Sequence, residues 1–161
     1  EGPCPVDLAR AMIVRGEAKR RDADAAGMLF AQGDAERLPL ADASVDRACV
    51  GFGIRNMGSL PRAFAETARV LRPGGLFAVL EFTTPPNPVL RGLYHAYFRH
   101  VLPRVGKWVS GHGQAYRYLP DSVAGFPAPD ALARLARGNG FAAADYRLLS
   151  GGIAALHLCR R

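Results

Sequence analysis

Residue types that hold metals or form disulfides are few in this sequence, and they are not clustered. The three cysteines are Cys4, Cys49 and Cys159, and the four histidines are His95, His100, His112 and His157. No CxxC pair and no other spacing typical of a metal site occurs among them. We therefore predict no metal site, and the odd, dispersed cysteines indicate a reducing compartment.

Signals for membrane-spanning, secreted and serine-nucleophile proteins are also missing. The sequence has no run of about 18 apolar residues, so no transmembrane helix is expected. It begins at Glu1 rather than at methionine and shows no charged-then-apolar leader, which predicts that there is no signal peptide and that the natural N-terminus is missing. No GxSxG turn is present to support Ser/His/Asp catalysis.

Lysine is scarce, yet the chain is basic because arginine is common. The 161 residues include 21 Lys+Arg and 14 Asp+Glu, a formal net charge of +7. A basic surface attracts phosphate groups, either of nucleic acid or of anionic lipid headgroups. The arginines are spread along the chain rather than clustered, so we predict no nucleic-acid partner. The apolar content of 49% is enough to build the core of one domain.

The clearest local pattern is RVLRPGGLFAVLEFT, from Arg69 to Thr83. Pro73 ends the preceding helix, and the two glycines after it allow the positive φ angles of a sharp reversal. Residues 76–80 are then uninterruptedly apolar, which is typical of a strand covered on both faces. Glu81 follows at the carboxyl end of that strand, where open α/β sheets place their ligands.

Apolar periodicity predicts the other elements. We expect strands at 5–8, 28–31, 45–52, 146–149 and 154–159, and helices at 9–21, 60–71, 89–108 (interrupted) and 129–137. The order of these elements predicts a doubly wound α/β sheet. No repeat or long linker divides the chain, so residues 1–161 are expected to form a single domain.

Two aspartates follow predicted strands. Asp7 could accept hydrogen bonds from both hydroxyls of a ribose, or it could cap the helix that follows. Asp34 lies in the Gly33-Asp34-Ala35-Glu36 segment, and it could accept a hydrogen bond from an exocyclic adenine amine or form an ordinary Gly-Asp turn. The sequence leaves both alternatives open.

The segment from Gly51 to Asn56, GFGIRN, follows the next strand. Its two glycines allow the backbone to approach a ligand closely, while Arg55 and Asn56 present hydrogen-bond donors. Arginine stays protonated at ordinary pH, so Arg55 could hold a water or a phenolate oxygen but could not act as a base. Alternatively, Arg55 is a surface arginine whose stem packs on a turn.

For two further features the sequence leaves both a functional and a structural interpretation open. Glu81 is either the acid at the sheet edge or the partner of a neighbouring arginine. The aromatic block from Tyr94 to Trp108, followed by Tyr116-Arg117-Tyr118, could line an apolar substrate pocket or meet a membrane surface, and it could also pack on the sheet; these roles are compatible.

Taken together, these motifs resemble the ubiquinone/menaquinone biosynthesis C-methyltransferase family, a branch of the S-adenosylmethionine-dependent methyltransferases. The resemblance rests on QGDAERLP, FGIRN, RVLRPGG…VLEFT, NPVLRGLYHAYFRHVLPRVGKWVSG, AYRYLPDSV and SGGIAALH, and it covers the chain from about Val6 onward. The last three of these motifs are specific to this family, whereas GDAE and RPGG would indicate only a class I methyltransferase.

The resemblance implies an α/β fold with a Rossmann-like class I methyltransferase sheet, whose last strand is antiparallel, and S-adenosyl-L-methionine as the cofactor. The cofactor residues implied by motif position are Asp7, Asp34, Ala35 and Gly51; the catalytic residues are Arg55 and Asn56; and the substrate residues are Tyr94, Tyr97, Tyr116 and Tyr118. The last group belongs to an aromatic-rich substrate lid at residues 85–128.

The sequence departs from the family pattern in several places. Gly51 stands where several members have a serine, and Arg72 and Thr83 replace a lysine and a serine. The family's N-terminal helix, first strand and GxGTG-type loop are not found in residues 1–161, and the two prolines of the segment 2–5 do not permit such a loop. We therefore expect a partial domain, a sheet that lacks its middle strand, and poor cofactor binding by residues 1–161 alone.

The implied reaction is C-methylation of a polyprenylated quinol ring in menaquinone or ubiquinone biosynthesis, with Arg55 stabilising the phenolate. The SGH…AYRYLP motif favours the menaquinone precursor as substrate. Because such a quinol is dissolved in the bilayer, we expect a cytoplasmic protein that makes transient contact with the inner face of the membrane. The alternatives are a methyltransferase for another small molecule and a non-catalytic methyltransferase-like binding protein.

Overall fold

A computed structural model describes residues 2–22, 27–97 and 122–161 of the chain. The elements run β1 (Val6–Asp7), α1 (Arg10–Asp22), β2 (Ala31–Gln32), β3 (Val45–Gly51), α2 (Leu60–Val70), β4 (Leu71–Phe82), α3 (Pro88–Ala96), α4 (Pro129–Gly138), β5 (Ala143–Leu149) and β6 (Ala154–Arg160). A short 3-10 turn at Ile54–Asn56 follows β3, and another at Ser150–Gly152 joins β5 to β6. The alternation of strands and helices confirms the predicted α/β class.

The strands form two separate sheets. Strands β1 and β2 pair in parallel, and the other sheet has the order β3-β4-β6-β5. Within it, β3 and β4 are parallel, whereas β6 runs antiparallel to both β4 and β5. The predicted antiparallel last strand is confirmed. Within the described residues, β1 does not pair with β3, so the expected gap in the middle of the sheet is also present.

The strand predicted at 28–31 is wrong in its bounds, since β2 covers only Ala31 and Gln32. The backbone N–H groups of Leu29 and Ala31 do donate to the carbonyl oxygens of Pro3 and Pro5, at 3.2 and 3.0 Å. Proline has no N–H to donate in return, so these contacts make only half of a ladder. The extended pairing thus continues beyond β2, but regular strand geometry does not.

The RPGG segment forms a bulge inside β4 rather than a turn before it. Pairing with β3 jumps from Val45–Leu71 to Arg47–Leu76, so the residues between are looped out of register. Gly74 has the predicted positive φ, at 80°. Gly75 does not, and its prediction was wrong: a Cβ on Gly75 would lie 2.8 Å from a backbone oxygen, so glycine is required there by packing.

The core lies on one face of the larger sheet. Phe64 of α2 packs edge-on against Phe77 of β4 and against Phe141, with ring centroids 5.7 and 6.0 Å apart, and Phe77 stacks with Phe141 at 6.0 Å. Leu132 of α4 closes the same cluster and is 0% exposed. These contacts confirm the predicted apolar face of the helix at 60–71.

The opposite face of the larger sheet is less covered than the sequence predicts. Along β4, buried residues alternate with half-buried ones, and Leu76, Ala78 and Leu80 lie on the half-buried side. On the neighbouring β6, Leu158 is 45% exposed. The expectation that residues 76–80 are buried on both faces is therefore wrong within the described residues, because the core cluster packs on one side only.

Neither a membrane-spanning helix nor a cluster of metal ligands occurs in the described part of the chain. No helix there is long and apolar enough to cross a bilayer. No three histidine, cysteine, aspartate or glutamate side chains converge there in a way that could hold a metal ion.

His157 gives the core a pH dependence. It lies on β6 opposite Val79 and is 2% exposed, with Nε2 2.9 Å from the carbonyl oxygen of Pro129. Burial lowers the pKa of His157 below its ordinary value, and hydrogen bonding to backbone oxygens opposes this only in part. The folded state therefore resists a proton that the unfolded chain accepts.

We expect the free energy of unfolding to fall as the pH drops below about 6.5, the ordinary histidine pKa, because the unfolded state then binds more protons. A His157→Gln variant removes this contribution. Urea unfolding at a series of pH values should show a shallower decline for the variant than for the parent. Equal slopes between about pH 5 and 7 would contradict this assignment.

Candidate active site

Asp7 lies at the carboxyl end of β1. Its Oδ1 accepts a hydrogen bond from the backbone N–H of Ala9 at 2.7 Å, just before α1 begins. This bond is a local aspartate turn and not the predicted cap of α1, because the cap position is Ala9, whose carbonyl oxygen accepts from the N–H groups of Met12 and Ile13. The other carboxylate oxygen of Asp7 has no hydrogen-bond partner within the described residues, so Asp7 keeps an acceptor for a ligand.

Asp34 lies beside Asp7 because the two parallel strands end together. The backbone N–H of Gly33 donates to the carbonyl oxygen of Asp7 at 3.1 Å. Asp34 is exposed, and its Oδ1 accepts from the backbone N–H of Glu36 at 2.9 Å, which makes the ordinary aspartate turn. Ala35 is half-buried next to it. The structure thus brings the two acids predicted to hold a nucleoside to one sheet edge.

Hydrogen bonds tie this edge to α2. Glu36 Oε1 accepts from the backbone N–H of Ser59 at 2.7 Å, and Glu66 Oε1 accepts from that of Leu38 at 2.8 Å. Arg69 donates to both oxygens of Glu66, at 2.7 and 2.9 Å. These bonds, chiefly that from Arg69, hold the pKa of Glu66 below its usual value. The loop between β2 and β3 is therefore fixed to the larger sheet through α2.

Strained backbone marks the end of β3. Gly51 is exposed, and a Cβ built on it would meet nothing within 4 Å. Phe52 follows with φ at 55°, a left-handed conformation that a phenylalanine rarely adopts, and its N–H donates to the Leu80 carbonyl oxygen at 2.8 Å. Its ring lies 4.5 Å from that of Phe82, so two rings from adjacent strands form one aromatic surface.

A buried ion pair lies next to this aromatic surface. Arg55 is held in the 3-10 turn after β3, which is anchored by Ile54 at 0% exposure. Arg55 Nη1 lies 2.6 Å from Glu81 Oε1, and the two side chains are 10% and 1% exposed. Glu81 is therefore the partner of an arginine, and at 1% exposure it is too deeply buried to contact a ligand itself.

In the described part of the chain, the Arg55 guanidinium is hydrogen-bonded through Nη1 but not through Nε. Nη1 also donates to the carbonyl oxygen of Phe52 at 2.7 Å, and the guanidinium carbon lies 5.6 Å from the centroid of the Phe82 ring. Nε is buried without a hydrogen-bond partner within the described residues. Because a buried N–H donor is costly to leave unsatisfied, the Arg55 guanidinium is the group of this site with unused hydrogen-bonding capacity for an oxygen of a ligand.

The remaining predicted site residues differ in how exposed they are. Asn56 is exposed at the end of the turn, and Tyr97 is 47% exposed after α3. Tyr94 is 7% exposed; burial raises its pKa and the charge of Arg55 opposes this, so it lies within electrostatic range of the pair as a neutral phenol. Tyr116 and Tyr118 lie outside the described residues.

Sequence reasoning missed the ring pair of Phe52 and Phe82, which are tilted by 34° relative to one another. Phe52 directly follows β3 and Phe82 ends β4, and both strands were predicted, so the sequence could have placed the two rings at the same sheet edge. The left-handed backbone at Phe52 was not predictable, because the flanking glycines suggest that a glycine adopts any unusual conformation there.

Comparisons with known proteins cover almost the whole chain. The model of the ubiE/COQ5 methyltransferase family matches residues 4–161. A ubiquinone/menaquinone biosynthesis C-methyltransferase UbiE from Methylobacterium nodulans is 43% identical over 152 residues, which are 94% of this chain and 60% of that protein. A demethylmenaquinone methyltransferase from Deinococcus radiodurans is 42% identical over 154 residues, 96% of this chain and 60% of that protein. The chain thus spans about 60% of the length of these relatives.

Solved structures show the same fold. A SAM dependent methyltransferase from Aquifex aeolicus superposes with a TM-score of 0.69 at 11% identity, covering 99% of this chain and 68% of that one. At this identity the likeness shows the fold alone, and it confirms the predicted Rossmann-like class I sheet.

Proposed function

The chain belongs to the ubiE/COQ5 methyltransferase family, and from this premise we propose that the protein methylates a ring carbon of a polyprenylated quinol with S-adenosylmethionine as methyl donor. The observation that carries the proposal is the family match from residue 4 to residue 161, which includes the Arg55 site at the sheet edge. Both named relatives are quinone-pathway methyltransferases by their names.

The residues at the ends of β1, β2 and β3 fit the proposed cofactor in their chemistry. Ribose hydroxyls and an adenine amine are hydrogen-bond donors, and Asp7 and Asp34 each offer an acceptor oxygen that has no hydrogen-bond partner within the described residues. Ala35 would lie beside the adenine, and Gly51 leaves open space at the end of β3. S-adenosylmethionine, when bound, supplies an electrophilic methyl group.

Arg55 would act on the substrate oxygen. A ring carbon becomes nucleophilic when the adjacent hydroxyl ionises, and a positioned donor stabilises the charge that develops on that oxygen. The Arg55 guanidinium is such a donor, and it lies next to Phe82, whose ring pairs with that of Phe52 and offers an aromatic ring an apolar face. Asn56, in the same turn, is a second candidate donor.

The polyprenyl tail would be met by α3 and the segment that follows it. Val89 and Leu93 lie four residues apart on the helix and are 72% and 64% exposed, and Tyr97 continues that face at 47% exposure. An exposed apolar stripe suits a lipid tail or the surface of a membrane. We propose that α3 belongs to a substrate lid at residues 85–128, of which residues 98–121 lie outside the described part of the chain. We also propose a cytoplasmic protein in transient contact with the inner face of the membrane.

A product-mass assay on the full-length protein tests the substrate class. The purified protein is incubated with S-adenosylmethionine and, separately, with a prenylated naphthoquinol that lacks its ring methyl, a prenylated benzoquinol and a simple phenol. We expect methylated product from the prenylated quinols, with the naphthoquinol preferred. Methylation of the simple phenol alone would indicate a different small-molecule methyltransferase, and no product with any substrate would indicate a non-catalytic binding protein.

A further inference from the structure

We infer that Glu81 is a positioning residue, whose buried carboxylate holds the Arg55 guanidinium in the one orientation in which its unused N–H groups can meet the substrate oxygen. This inference rests on the proposed function, because it gives Arg55 a substrate to act on. It assigns to the last buried residue of β4 a part in the rate of the reaction, although that residue does not contact the substrate.

The carboxylate of Glu81 is fixed on both oxygens. Oε1 accepts from Arg55 Nη1 at 2.6 Å and from the backbone N–H of Phe82 at 2.9 Å. Oε2 accepts from the backbone N–H of Arg55 at 3.4 Å. The acid therefore binds both the side chain and the main chain of the same arginine, and it joins the turn after β3 to the end of β4.

The position of Glu81 in the strand makes a purely structural role a poor explanation. Residues 77 and 79 precede it on the buried face of β4 and are apolar. An apolar side chain would continue this face without the cost of removing a charge from water. A buried ion pair often contributes little net stability compared with an apolar replacement, so the charge at position 81 needs another explanation.

The hydrogen bonds explain how the pair would set the geometry of Arg55. Nη1 is engaged by Glu81 and by the Phe52 carbonyl oxygen, and the flat guanidinium lies near the Phe82 ring. With one end and one face fixed, the plane of the guanidinium cannot rotate freely, and Nε points in one direction. A displacement of about 1 Å in a group that positions a substrate can cost about 100-fold in rate.

Positioning and simple charge compensation predict opposite results for a Glu81→Gln variant. If Glu81 only offset the charge of Arg55, its removal would leave a stronger positive charge near the developing phenolate and raise kcat. Since we infer that Glu81 orients Arg55, we expect kcat of the full-length protein to fall by about 10- to 100-fold, with KM for S-adenosylmethionine unchanged. An unchanged or increased kcat in the folded variant would overturn the inference.

A double-variant cycle separates orientation from a general loss of structure. In an Arg55→Lys background, which lacks Nε, Glu81→Gln should cost no further kcat, because the group that it orients is already absent. Independent, multiplicative losses would overturn the positioning role. Asp130→Asn is the control, because it removes an acid paired with Arg134 at 2.7 Å on α4, away from the site, and it should leave kcat unchanged.

A second variant covers the case in which Glu81→Gln does not fold. Glu81→Asp keeps the charge but is one methylene shorter, so we expect a folded protein with reduced kcat and unchanged KM; parental kcat would overturn the inference. Failure of the inference and failure of the proposed function differ in outcome. The first leaves the parent active, Arg55→Lys impaired and the Glu81 variants as active as the parent, whereas the second leaves the parent without quinol methylation.

Discussion

Replacing Arg55 with lysine in the full-length protein is expected to lower kcat for quinol methylation about 100-fold while leaving the fold intact. Lysine keeps the positive charge that Glu81 needs at 1% exposure, so no buried carboxylate is left without a partner. Lysine lacks the Nε donor and the planar fork of arginine. The expected magnitude is that of removing one donor from an oxyanion site, about 100- to 1000-fold.

Steady-state kinetics with varied quinol and varied S-adenosylmethionine measure this effect, and a thermal melt verifies folding. Arg62→Lys is the matched control, because Arg62 is 78% exposed on α2 and its contact with Glu36 is long, at 3.9 Å. We expect parental kinetics from that control. If Arg55→Lys turns over as fast as the parent, Arg55 does not stabilise the phenolate.

The second large effect concerns the core. Leu132→Ala on α4 is expected to lower the free energy of unfolding by about 2–5 kcal/mol, through lost burial and the cavity that remains. Leu132 is 0% exposed, and it packs in the same cluster as the rings of Phe64, Phe77 and Phe141. Since whole domains are stable by only about 5–15 kcal/mol, a loss of this size removes a large share of the total.

Urea unfolding of the parent and the variant measures this loss. Leu158→Ala makes the same chemical change on β6 at a residue that is 45% exposed. Because Leu158 points away from the core cluster, its truncation should cost well under half as much. Similar losses from the two variants would mean that the half-exposed face of the sheet is covered in solution and that the core is not confined to one side.

The sequence was most informative where local pattern and tertiary packing agree. The helix at 60–71 was predicted from its apolar face, and Phe64 and Ala68 are buried as expected. Strands were predicted at 146–149 and 154–159, and β5 and β6 lie there and pair antiparallel across the 3-10 turn at Ser150–Gly152. In these elements the local pattern of apolar residues was enough to predict the secondary structure.

Features that depend on distant partners were not predictable in the same way. The sequence could not decide whether Glu81 is a free acid or the partner of an arginine, because Arg55 is 26 positions away and the pairing arises only from adjacent parallel strands. The bulge in β4 likewise depends on its register with β3. The roles of Asp7, Asp34 and the tyrosines remain predictions; those of the two aspartates are supported by their position at one sheet edge.

The central claim is methyl transfer to carbon, and isotope labelling tests it most directly. The full-length protein is incubated with S-adenosylmethionine that carries a deuterated methyl group and with a prenylated naphthoquinol lacking its ring methyl, and the product is fragmented in a mass spectrometer. The proposed function predicts an intact deuterated methyl group on a ring carbon. Label on a ring oxygen, or an unlabelled quinol after long incubation, would contradict it.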